Sequence, residues 1–185
     1  MKYAFIMNSR SLTPETFSLS YEEQGNVYYF AAVHGMKMTR ELALKLVQQE
    51  FKIIDLCGNY NAEKAADVRN AAEGLLEVSY AKYSQEDQAR FEALTVSDKY
   101  GIIVLGFESA QEKDPSESLM RLELQSEEYN TYIAIAATEE LAAQAAQDMA
   151  AEGIHFIELC GYFDEEKAGE IADAVEHKIP IGYCG

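Results

Sequence analysis

The chain has 185 residues, 48% of them hydrophobic and 25% charged, with three prolines and three cysteines. That composition excludes collagen-like, low-complexity and disulfide-dense classes and allows one large domain or two small ones. Fifteen Lys and Arg against thirty-two Asp and Glu give a formal net charge of −17, a field that repels phosphate backbones and anionic membranes and argues against nucleic acid or a membrane as partner.

The opening run Tyr3 to Met7 is apolar, too short for a signal h-region, and predicts a short strand. Phe17 to Tyr21 alternates before a turn over Glu22–Asn26, and Val27 to Val33 reads as a buried strand, so a hairpin follows the first strand. Thr39 is read as the cap of a helix in which Leu42, Leu46 and Val47 share a face. Phe51 to Leu56 is an apolar run interrupted by one acid, Asp55. Asn61 caps the next helix, Ala65, Val68 and Ala72 form its stripe, and Leu75 to Tyr80 closes the segment as a strand. Over residues 83–98, Ser84 followed three positions later by Asp87 predicts a docked connecting helix with Phe91 and Leu94 as its apolar stripe. The same order then recurs, with a longer alanine-rich helix over Leu141 to Ala151 and Ile179-Pro180-Ile181-Gly182-Tyr183 as the last strand.

The recurrence is a duplication. Residues 51–82 align without a gap on residues 154–185 at a constant offset of 103, and ten of the 32 positions are identical. Among them are Leu56-Cys57-Gly58 with Leu159-Cys160-Gly161 and Glu63-Lys64-Ala65 with Glu166-Lys167-Ala168. Towards the N-terminus Lys2 to Ile6 matches Lys99 to Ile103, and Tyr28-Tyr29-Phe30-Ala31-Ala32 is set against Tyr132-Ile133-Ala134-Ile135-Ala136. The domain reading is therefore a first repeat over 1–82, a connecting helix over 83–98 and a second repeat over 99–185. Strand, helix, strand, helix, strand implies right-handed crossovers and a parallel sheet. The fold class is α/β: two tandem copies of a small mostly parallel sheet with crossover helices, packed as a pseudo-twofold dimer. A closed eight-stranded barrel is the weaker alternative, because no helix follows the first strand of either copy. The chain is expected as a monomer that is itself a pseudo-dimer, or as a higher homo-oligomer.

With Ile157-Glu158-Leu159-Cys160-Gly161-Tyr162-Phe163 and Ile179-Pro180-Ile181-Gly182 in view, each copy resembles a family of small prokaryotic domains of about 100 residues. That family carries an I-E-L-C-G-G-F type motif followed by a V-P-V-G strand and has no established function. The resemblance covers nearly all of copy two and, more weakly, copy one, where Asp55, Asn59 and Tyr60 depart from the motif and Leu76-Glu77-Val78-Ser79 replaces the proline strand. It implies the duplication and no activity.

The turns after the two motif strands are the places for chemistry, because ligands of parallel α/β sheets bind beyond the carboxyl ends of strands. Alternation places Asp55 with Cys57, and Glu158 with Cys160, on one face of their strands. Helix amides near either thiol would lower its pKa and make it a nucleophile, whereas plain packing is the common fate of a buried cysteine. His34, after Val33, completes a Cys, His and Asp set suited to nucleophilic or acid–base work, with a solvated loop histidine as the simpler reading. The catalytic candidates are thus Cys57, Cys160, Asp55, Glu158 and His34, and the ligand-binding candidates are Gly58, Asn59, Gly161 and Tyr162. Lys64 and Lys167 lie in the first turn of the following helices, and Cys184 reads as a mobile thiol. No metal site or cofactor is read, and the odd, non-C-x-x-C cysteines fit a reducing cytoplasm. The functional expectation is a small-molecule-binding α/β protein, with enzymatic activity left open and ligand crevices at the Leu-Cys-Gly strand ends. The alternative is a non-catalytic interaction or assembly module with structural cysteines.

Overall fold

Short strands rich in aromatic and branched residues, alternating with helices that carry one apolar stripe, bury their backbone polar groups and stripes together when the helices cross over one face of a parallel sheet. In the computed structural model, which describes residues 1–23, 25–106 and 119–185, each half of the chain does this. The chain divides into two units, Met1–Ala81 and Lys82–Gly185.

The first unit runs β1 (Lys2–Ser9), β2 (Ser18–Glu23), β3 (Asn26–His34), α1 (Gly35–Gln48), β4 (Ile53–Cys57), α2 (Ala62–Ala71) and β5 (Glu77–Tyr83), the last continuing into the second unit. Its strand order is β2-β3-β1-β4-β5. Strand β1 is parallel to β3 and β4, β4 is parallel to β5, and β2 is antiparallel to β3, so the sheet is mixed. Ala4, Ile6, Ala31, Val33, Ile54, Leu56 and Val78 point to one face and pack with Leu42, Ala43 and Leu46 of α1 and Ala65 and Val68 of α2. The opposite face is also buried, with Phe5 and Phe30 stacked at 4.5 Å between ring centroids.

The second unit contains α3 (Gln85–Glu92), β6 (Lys99–Leu105), β7 (Leu119–Gln125), β8 (Asn130–Ala136), α4 (Glu139–Ala151), β9 (Phe156–Gly161), α5 (Glu165–Ala174) and β10 (Ile181–Cys184). Its order, β10-β9-β6-β8-β7, repeats that of the first unit, with β7 antiparallel and the others parallel. Ile103, Ala134, Ala136, Ile157, Leu159 and Ile181 face Ala142, Ala145, Ala146 and Met149 of α4 and Ala168 and Ile171 of α5. Pro180 ends just before β10, so its missing N–H removes nothing from that strand, and its carbonyl accepts from the Ile157 N–H.

The fold class holds as α/β, and antiparallel β2 and β7 make the sheet of each unit mixed. Three finer expectations are corrected. Thr39 is no cap: α1 starts at Gly35, whose N–H donates to the Asn8 side chain, and buried Thr39 donates back to the Gly35 carbonyl. The pairing of Tyr28–Ala32 with Tyr132–Ala136 is one residue out. Ala31 and Val33 face α1 as Ala134 and Ala136 face α4, so the offset of 103 continues through β3; a slip of one would turn every side chain to the other face. Cys184 is buried, not mobile, because β10 pairs with β9 and places it inside.

Candidate functional site

Both Leu-Cys-Gly motifs end a strand in the middle of a sheet and lead through a short turn into a helix. The helix starts are fixed locally. The Asn61 side chain accepts from the Lys64 N–H at 3.0 Å and the Asp164 side chain from the Lys167 N–H at 2.9 Å. The same lysines reach back over the turn: Lys64 Nζ donates to the Asn59 carbonyl at 2.5 Å and Lys167 Nζ to the Tyr162 carbonyl at 3.2 Å. Gly58 and Gly161 adopt φ values of +85° and +91°, which explains glycine at the head of each turn. Asn59 and Tyr162 are exposed, while Tyr60 and Phe163 turn inwards. Burial pushes the Tyr60 hydroxyl up to about 12, opposed by its hydrogen bond with Thr39, a contact of 2.8 Å.

The acid inside each motif strand has dedicated partners. Asp55, 1% exposed, accepts from Tyr3 Oη at 2.7 Å through Oδ2 and from Ser79 Oγ through Oδ1. Ser79 lies directly opposite Asp55 on β5, and Tyr3 lies diagonally on β1, where its partner rung is Ile53. In the second unit Glu158, fully buried, accepts from Tyr100 Oη through Oε2 and from Tyr83 Oη at 2.7 Å through Oε1. Tyr100 repeats Tyr3, but the residue opposite Glu158 is Gly182, which has no hydroxyl. A Cβ on Gly182 would lie 2.6 Å from the Tyr83 ring, so the glycine makes the space that lets a tyrosine from a neighbouring segment replace the missing serine. Among the described residues no buried side-chain N or O lacks a hydrogen-bond partner, as the cost of burying a carboxyl demands.

These tyrosines were missed from the sequence, although the doublets Lys2-Tyr3 and Lys99-Tyr100 were visible within the repeat. Replacing Tyr3 by Phe removes the donor to Asp55 Oδ2 and is expected to lower stability by about 1–3 kcal/mol. Urea denaturation of Tyr3→Phe against wild type measures it; an unchanged midpoint would show that the bond contributes nothing.

The structure does not assemble Cys57, His34 and Asp55 into one group. Cys57 is fully buried with its thiol 3.8 Å from the Asp55 carbonyl oxygen, and the Asp55 carboxyl is engaged by Tyr3 and Ser79. His34 is exposed, and its Nδ1 lies 3.3 Å from the Ser9 carbonyl. Cys160 is likewise fully buried, with its sulfur 3.7 Å from that of Cys184.

The second unit has a cleft of about 190 Å³ at the N-terminal ends of α4 and α5, lined by Glu139, Glu140, Ala143, Phe163, Lys167, Glu170 and Ile171. It sits beside the motif turn through Phe163. Lys167 pairs with Glu139 at 2.9 Å. That bond, more than the nearby Asp164 and Glu170, raises the ammonium above its usual range. A backbone hydrogen bond and then the Thr138 hydroxyl lower the Glu140 carboxyl.

No helix among the described residues is long and apolar enough to cross a membrane. No curated protein and no solved structure matches the chain. One family model matches it twice, over residues 1–95 and 98–185, in agreement with a tandem duplication. By that match over nearly its whole length, the chain belongs to the family of unknown function DUF6506.

Proposed function

We propose that the chain is a small-molecule-binding protein whose second unit takes a small cationic ligand, a guanidinium or primary amine, in the cleft between α4 and α5. The supporting observation is a difference between the two copies at equivalent positions. The offset of 103 sets Thr39, Leu42, Ala43 and Leu46 against Ala142, Ala145, Ala146 and Met149, the buried residues of α1 and α4. The same offset sets Arg40 against Ala143 and Asp67 against Glu170. In the first unit Arg40 Nη1 meets Asp67 Oδ2 at 2.6 Å, so a guanidinium lies between the helices. In the second unit the arginine is an alanine, the carboxylate is kept, and a cleft takes its place. The lining holds three carboxylates against one ammonium, which suits a cation, and the apolar faces of Phe163 and Ile171 suit the stem that carries it.

On this reading Asp55, Glu158, Cys57 and Cys160 build the sheet and do not touch ligand. Their burial supports the alternative of a non-catalytic module as far as the motif itself is concerned. The thiols accord with a cytoplasmic setting, where cysteines stay reduced.

Titration calorimetry with methylguanidine and butylamine, against butanol and butyrate, tests the proposal. Both cations are expected to bind saturably and weakly, as befits ligands of so few atoms, and the controls not at all. Glu170→Gln should weaken binding about tenfold, a change of about 1.4 kcal/mol. Ala143→Arg should abolish it, because the protein's own guanidinium then fills the cleft. Equal binding of butyrate, or unchanged binding in Ala143→Arg, would overturn the reading.

A further inference from the structure

We propose that Cys160 and Cys184 form an oxidation site that closes to an intrachain disulfide when the protein meets a peroxide. Strands β9 and β10 are parallel neighbours in the register Ile157 with Ile181, Glu158 with Gly182 and Leu159 with Tyr183. The next rung sets Cys160 opposite Cys184. Side chains on one rung of adjacent parallel strands leave the sheet on the same side, and the two sulfurs lie 3.7 Å apart. Neighbouring strands are about 4.8 Å apart, within the Cα separations of about 4.4–6.8 Å that a disulfide spans. Closing the bond needs rotation about the two side chains to bring the sulfurs to about 2 Å, with no change of strand register.

The step balances with hydrogen peroxide as the oxidant. One thiolate attacks a peroxide oxygen, the O–O bond breaks, and a sulfenic acid and, after protonation, water result. The second thiol attacks the sulfenic sulfur, the S–O bond breaks, and a second water leaves with the thiol proton. Two thiols and one peroxide become one disulfide and two waters. Exposures of 0% for Cys160 and 2% for Cys184 make the first step slow relative to an open thiol and favour an oxidant as small as peroxide over a bulky disulfide. Proximity favours the second step, because the resolving thiol is already beside its target.

The test is peptide mapping of the whole chain after treatment with dilute hydrogen peroxide, alongside intact mass. The expected product is a monomer lighter by two hydrogens, with the Cys160 and Cys184 peptides joined and the bond reversed by dithiothreitol. Cys57→Ser should give the same product, and Cys184→Ser should remain unlinked. Wild-type mapping carries the result even if a variant folds poorly. A bond from either residue to Cys57, a bond between two chains, or three thiols that persist or advance to sulfinic acid without a link would overturn the proposal.

Discussion

Gly161→Ala is expected to cost about 3 kcal/mol or more, while Gly58→Ala, at the same position of the other copy, costs about 1–2 kcal/mol. Both glycines have left-handed φ, +91° and +85°, so an alanine at either position is strained by its own backbone. Only one has a second obstacle. A Cβ on Gly161 would stand 2.8 Å from the Leu105 carbonyl oxygen, whereas one on Gly58 would meet nothing within 4 Å among the described residues. The obstacle is main chain in β6, which pairs with β9 through that rung, Leu105 with Gly161, and cannot rotate aside as a side chain can. Overpacking of this kind adds about 1–3 kcal/mol to the backbone strain. Paired urea denaturations, compared at unchanged slope, give the difference directly. Equal losses would mean that the end of β6 yields freely.

The second large effect is a coupling. Gly182→Ala alone is expected to lose about 1–3 kcal/mol, because its Cβ would lie 2.6, 2.9 and 3.0 Å from three carbons of the Tyr83 ring. That ring is not a loose end, since its hydroxyl is tied to Glu158 at 2.7 Å and its centroid lies 5.1 Å from that of the Phe91 ring. Tyr83→Ala alone also destabilises, by removing a donor to Glu158. In the double variant the added methyl has room, so the combined loss should fall short of the sum by about 1–3 kcal/mol. A double-mutant cycle in urea reads this number. Strict additivity would show that Tyr83 and Gly182 do not share the space the structure gives them.

What the sequence revealed was mostly local. Asn61 and Asp164 cap helices three residues ahead of the N–H they accept, and Ser84 does the same for Asp87, so the signal and its target sit in one short window. Thr39 misled for the complementary reason: a hydroxyl near a helix start resembles a cap, but the group that meets Gly35 comes from Asn8, on another strand. The slip at Tyr28–Ala32 arose where the segments are apolar on both faces, so alternation carried no mark of which side faced the helices. The acid's partners were hidden because a strand's neighbours are set by topology, and nothing in the run Ile53–Cys57 names β1 as the source of a tyrosine. The difference at Arg40 and Ala143 was visible as letters, but it acquired meaning only when Asp67 and Glu170 were found facing them across the helix pair.

The source of the second hydroxyl on each buried acid decides where the gene can be divided. Asp55 accepts from Tyr3 and Ser79, both numbered below 82, so a fragment ending there retains these two bonds. Glu158 takes one of its bonds from Tyr83, which precedes the second repeat yet belongs to the second unit. A fragment opened at Lys99, where the repeat begins, discards that donor and also Phe91, which stands edge-on to Phe156. A fragment opened at Lys82 retains both. The stretch between the repeats is therefore not a tether that can be shortened or exchanged at will, and its replacement by a generic linker would strip the second copy of part of its own interior.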